Sequence, residues 1–90
     1  MFNLYEAFKS INSEDEFNNF LVDLCTPKEI KDLSDRFLIA QYLYDGKLNQ
    51  REVAEKTKNS ITTVTRVARF LREEKYKGYE TVLNVLNKKK

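Results

Sequence analysis

Side chains suited to nucleic acid gather between Asn49 and Arg69, in the stretch NQREVAEKTKNSITTVTRVAR. Thr62, Thr63, Thr65, Arg66 and Arg69 supply hydroxyls and guanidiniums that can reach phosphates and base edges. They can act together only if one helix carries them, and the spacing predicts that helix. Val64 and Val67, three apart, give it an apolar stripe opposite the polar one. Val53 and Ala54 mark the buried side of a shorter helix before it, and Ala54 is small enough for a close crossing. Lys58, Asn59 and Ser60 separate the two, with Ser60 as N-cap of the second. The stretch therefore predicts a helix-turn-helix. Its turn lacks the usual glycine, so either Lys58 or Asn59 takes a positive φ, at a cost below about 1–2 kcal/mol.

Other chemistries find little support. The chain has no His, which removes the commonest general base and the commonest metal ligand. With Cys25 as the single cysteine, neither a structural zinc site nor an intramolecular disulfide is expected. Cys25 lies just before a predicted helix N-terminus, but no base accompanies it, and it is read as a core residue. There is no glycine-rich phosphate loop. No enzymatic activity, metal or cofactor is expected. A single thiol fits a reducing, cytoplasmic setting. The absence of a leader and of any apolar run near about 18 residues argues against export and membrane spanning.

The net charge of +2 conceals a division along the chain. Residues 1–35 carry three bases against eight acids, and residues 36–77 carry ten bases against five. Positive charge thus collects around the expected reading stretch, as phosphate binding requires, although a solvated helix face gives the same count.

Ninety residues form one small domain, 1–90, with 41% hydrophobic residues, two Gly and one Pro. That composition predicts helices nearly throughout, and more apolar surface than a monomer of this size can cover. Cap residues three before a Glu recur at Asn3 and Glu6, Ser13 and Glu16, Thr26 and Glu29, and Asn49 and Glu52. They start helices predicted at 4–11, 14–24, 27–45 and 50–57, with Pro27 at a first helical position. Two more are predicted at 61–74 and 78–87. In the long third helix, Ile30, Leu33, Phe37, Ala40 and Tyr44 trace one stripe. Leu38, Ile39, Tyr42 and Leu43 make its second half apolar almost all round, so a partner subunit is the simplest cover. Gly46 stops it. The closing lysines, Lys88 to Lys90, are read as a frayed solubilising tail or as DNA contacts.

The segments LCTPKEIKDLSDRF, DGKLNQREVAEKT, ITTVTRV and GYETVL, in this order, resemble the Trp repressor family, in particular its YerC/YecD-like branch. The resemblance runs from about Leu24 to Leu86. It implies an all-α, six-helix, intertwined homodimer with a core from 4–46 and 78–87 and a reading head at 49–74. Two heads would then face a near-palindromic site on double-stranded DNA, one turn or roughly 34 Å apart. Arg51 matches an arginine that reads a guanine edge. Ile61, Thr62 and Thr65 match the base-facing start of the reading helix, and Gln50 and Thr63 match phosphate contacts. Ala54 stands where the family makes a water-mediated base contact, so that contact is not carried over.

In the tryptophan-responsive members two arginines sandwich the indole, and Arg36 and Arg66 are their counterparts, with Thr26 also matching. A glycine and a serine of that pocket are Val67 and Phe70 here, and these larger side chains fill the indole space. Tryptophan is therefore not expected as corepressor. Arg36 and Arg66 are read instead as partners of Asp32, Asp35 or Glu residues, or as DNA contacts. The function expected is a homodimeric, sequence-specific transcriptional regulator, with any small-molecule effector left open. The alternative is a helical protein–protein adaptor, against which the basic bias and threonine-rich helix argue.

Overall fold

A computed structural model describes residues 1–89, and among them the only regular elements are α-helices. These are α1 (Leu4–Lys9), α2 (Glu14–Leu24), α3 (Pro27–Asp45), α4 (Gln50–Thr57), α5 (Ile61–Arg72) and α6 (Gly78–Lys88). None is long and apolar enough to cross a membrane. Lys90, the last of the three closing lysines, lies outside the described residues. Lys88 ends α6 and Lys89 caps it.

The starts of the helices follow the capping pattern. Asn3 and Glu6, Thr26 and Glu29, and Asn49 and Glu52 close reciprocal boxes. In each, the cap side chain accepts the N–H three residues on, while the Glu carboxylate accepts the cap's own N–H. Ser13 departs from this scheme: it accepts the Glu16 N–H at 3.1 Å, but the Glu16 carboxylate accepts the Asn12 N–H at 2.9 Å. Two helix ends come earlier than the periodicity predicts. α1 stops at Lys9, because Ser10 turns both its N–H and its hydroxyl back to the Ala7 carbonyl. α5 stops at Arg72, where the N–H groups of Glu73 and Glu74 both return to the Arg69 carbonyl. The Glu74 carboxylate then accepts from Arg69 Nε at 2.9 Å and fixes that return.

The chain divides into two compact units, the first ending at Asp32 and the second beginning at Leu33, so the boundary falls within α3. In the first unit the Phe8 ring meets Phe17 at 6.0 Å and Phe20 edge-on at 5.7 Å. No residue of α1 or α2 is fully buried, and Phe2, Leu4, Tyr5, Val22 and Leu24 stay exposed. Cys25 follows α2 as its C-cap and is half-buried, so it is not the core residue predicted.

The second unit holds the core. Ile39 and Ala40 from α3, Val53 from α4, Val64, Val67 and Leu71 from α5, and Leu83 from α6 are all sealed from water. Phe37, Tyr42, Leu43, Leu48 and Tyr79 pack around them, half-buried. In α3 the buried residues are Ala40, a member of the predicted stripe whose Phe37 and Tyr44 pack half-buried against the core, and Ile39 beside it. Leu33 and Leu38 remain exposed, as do Val82, Val85 and Leu86 on α6. Beyond the core, Arg72 donates to the Leu43 carbonyl at 3.0 Å, and Tyr44 is hydrogen-bonded through its hydroxyl to the Asn84 side chain.

Three junctions carry a left-handed residue, Gly46, Lys58 and Lys77, and the first two meet that need differently. Gly46, at φ 80°, follows α3 as predicted. After α4 it is Lys58, not Asn59, that turns left-handed, at φ 57° and ψ 39°. The Asn59 N–H reaches the Ala54 carbonyl at 3.0 Å and the Lys58 N–H the Glu55 carbonyl at 3.3 Å, a Schellman closure. Asn59 Nδ2 also donates to the Thr57 carbonyl, so its side chain holds the turn while Lys58 bears the strain. Lys58→Gly should therefore stabilise the fold by about 0.5–1 kcal/mol. Gly46→Ala should destabilise it by about 1–2 kcal/mol through φ alone, since nothing lies within 4 Å of a Cβ there. Urea unfolding of the two variants checks the opposite signs.

Candidate nucleic-acid interface

The face available to a long polyanion is assembled from the beginnings of α4 and α5, with Val53, Val64 and Val67 as its floor. Asn49 and Glu52 hold the first turn of α4 on its axis, which places Gln50 and Arg51 at the first two helical positions, both exposed. Because the Glu52 carboxylate serves the Asn49 N–H at 2.9 Å, it is occupied beside Arg51. The guanidinium of Arg51 projects from a helix start fixed by packing at Val53 and by the box at Asn49.

Ser60 starts α5, its hydroxyl accepting the Thr63 N–H at 3.1 Å. Ile61, Thr62 and Thr65 follow on the exposed side, while Thr63 is half-buried. The three threonine hydroxyls have different roles. That of Thr63 lies 2.9 Å from the Ser60 hydroxyl and belongs to the cap. That of Thr65 donates to Gln50 Oε1 at 3.1 Å and braces α5 against α4. Thr62 forms no side-chain hydrogen bond among the described residues and points its hydroxyl at solvent. Gln50 and Thr65, assigned to phosphate and base contacts, are thus brought together, and nothing in the spacing of the sequence signals a pair fifteen residues apart. Arg69 is partly committed elsewhere, to Glu74 and to the ring of Phe70, 5.7 Å from its centroid.

Arg36 and Arg66 are also brought together. Both line a groove of about 780 Å³ in the second unit, with Phe37, Val67, Phe70 and Tyr79 among its walls. The guanidinium of Arg66 sits over the Phe70 ring, 4.7 Å from its centroid, where an aromatic face attracts a cation. The predicted carboxylate partner of Arg66 is thus replaced by an aromatic side chain one turn along the same helix. Val67 is buried beneath the groove. Thr26 belongs to the first unit, where it closes the capping box with Glu29.

An all-helical fold with cations and hydroxyls arrayed over a two-helix face defines a class, the DNA-binding regulators of transcription. The family described as Trp repressor protein matches residues 1–87. A Trp operon repressor homolog from Chlamydia trachomatis serovar D is 36% identical over 72 residues, covering 76% of this chain and 77% of the relative. One from Xylella fastidiosa strain M23 is 37% identical over 68 residues, covering 76% and 74%. The crystal structure of a TrpR-like protein from Eubacterium eligens superposes with a TM-score of 0.85 at 37% identity, over 93% of this chain and 84% of that one. The chain belongs to the Trp repressor family.

The placement of Gln50 and Arg51 depends on the box at the head of α4. Asn49→Ala should cost about 0.5–2 kcal/mol of stability. Amide exchange at Glu52, whose N–H the Asn49 side chain accepts, should quicken, while exchange at Val67 and Leu71 should quicken only as far as global stability falls. Hydrogen-exchange NMR reads both.

Proposed function

We propose that this chain is a sequence-specific regulator of transcription, acting in the cytoplasm as a homodimer on a near-palindromic DNA site without tryptophan as corepressor. The observation that carries the reading is the exposed face at the head of α4 and α5. There Arg51 and Thr62 are held outward by a sealed apolar floor and by two independent N-caps. Arg51 is the residue of greatest discriminating power, since a guanidinium matches the two acceptors of a guanine edge in the major groove. Ile61 and Thr62 offer a neighbouring apolar and hydroxyl surface to bases, and Gln50 and Thr63 lie on the flank facing the phosphates.

Dimerisation is supported by what stays uncovered. Leu33 and Leu38 of α3 and Val82, Val85 and Leu86 of α6 are exposed, as are apolar side chains along α1 and α2. A chain of this size rarely leaves so many large apolar groups in water. A shared core built from residues 4–46 and 78–87 would cover them and leave 49–74 as a head on each protomer, two to a site. Independence from tryptophan is supported by Phe70. Its ring already lies against Arg66, in the groove where an indole would need that guanidinium.

Affinity for a two-fold duplex selected from a random pool should fall steeply with salt, as phosphate contacts require. Arg51→Ala should weaken that complex by about 1–3 kcal/mol and relax preference at one base pair per half-site. Millimolar tryptophan should shift neither the binding curve nor the unfolding midpoint. Fluorescence anisotropy with sedimentation of the free protein tests these points. Equal affinity for selected and random duplexes would overturn the specific reading, and a monomer at micromolar concentration would overturn the dimer.

A further inference from the structure

Most threonine hydroxyls inside helices bond back to the carbonyl one turn earlier, and Thr57 and Thr81 do so here, at 2.8 Å to Val53 and Lys77. Thr65 does not. Its hydroxyl crosses from α5 to α4 and donates to Gln50 Oε1 at 3.1 Å. Thr65 sits one residue past the buried Val64 on a β-branched side chain with few rotamers, so the direction of its hydroxyl is well defined. Gln50 stands at the first turn of α4, whose axis is held by the box at Asn49. Both ends of this contact are therefore anchored.

The geometry points to Thr65 as a positioning residue for Gln50, one that sets which end of the Gln50 amide faces DNA. An amide side chain has an acceptor end and a donor end. Reading adenine uses both at once, the oxygen accepting from N6 and the nitrogen donating to N7. With Oε1 held by Thr65, the NH2 group is the end turned outward. Phosphate oxygens only accept, so Gln50 meets the DNA backbone as a donor and does not read adenine. Thr65 in turn commits its one O–H donor to Gln50 and offers only lone pairs to any base beside it. It thus acts mainly through its neighbour, and Thr62 is left as the hydroxyl free to face bases. This assignment rests on the DNA-binding function proposed above.

Binding of a labelled duplex carrying the selected site is to be measured across a range of salt for wild type, Thr65→Val, Thr65→Ser, Gln50→Ala, the Thr65→Val/Gln50→Ala double variant and Gln50→Glu. Thr65→Val and Gln50→Ala should each weaken binding by roughly three- to ten-fold, the scale of one hydrogen bond, and the double variant should be no weaker than Gln50→Ala alone. Thr65→Ser, which keeps the hydroxyl, should stay within about two-fold of wild type. The slope of affinity against salt should not change in these variants, because no charge is removed. Gln50→Glu can still accept from Thr65 but has no donor for phosphate, and should bind more weakly than Gln50→Ala. It also serves if Thr65→Val does not fold. Additive losses in the double variant, a Thr65→Ser as weak as Thr65→Val, or a Gln50→Glu that binds like wild type would overturn the assignment. Wild type with no measurable affinity for any duplex would overturn the DNA-binding reading and this one with it. Specific wild-type binding with additive losses would overturn this one alone.

Discussion

The arrangement of the second unit depends on one strip of contacts, the line of Val64, Val67 and Leu71 along α5. All three are excluded from water, and each buried side chain of this kind contributes about 1.5–3 kcal/mol. They join Val53 of α4, Ile39 and Ala40 of α3 and Leu83 of α6 into one core, so α5 is the helix the other three share. Because side chains on a helix recur at three and four, fixing that strip also fixes what lies opposite. Ile61, Thr62 and Thr65 are exposed as a direct result. The rotation of this exposed face is thus a packing outcome, and caps and turns only determine where it begins and ends.

The helix starts were legible because their signal is short and chemical: a cap residue three before a glutamate accepts that glutamate's N–H in all four cases, and in three the carboxylate returns the bond to the cap. Helix ends were less legible, since they depend on a side chain turning back on the main chain. Ser10 does this with its hydroxyl, Glu74 returns its N–H to the Arg69 carbonyl and its carboxylate to the Arg69 guanidinium, and neither lies on the apolar period that predicts continuation. The turn shows the same limit. The sequence left Lys58 and Asn59 both able to take the left-handed position. What separates them is that Asn59 gains two hydrogen bonds by standing next to it, one from its N–H to Ala54 and one from its side chain to Thr57.

At the site, the residue types were legible and their division of labour was not. Three threonines within four positions look equivalent in a string of letters. In space one belongs to a cap, one braces a neighbouring helix, and one faces solvent. The arginines behave similarly. Spacing places Arg66 and Phe70 one turn apart but does not say whether the guanidinium turns to an acid or to the ring. The stack at 4.7 Å is a contact between neighbours one turn apart on α5, and both residues line the groove.

The solvent-facing head of α5 has a consequence for how such a protein can change over generations. Thr62 and Ile61 are exposed, and Thr62 has no side-chain partner to lose, so substitutions there leave folding free energy nearly untouched. These positions can drift singly without passing through an unstable intermediate. Gln50 and Thr65 are tied by a hydrogen bond, so neither can drift without the other being affected, and they are free to vary only as a pair. The same helix thus carries both kinds of position within a single turn: one easily rewritten, the other bound to its neighbour.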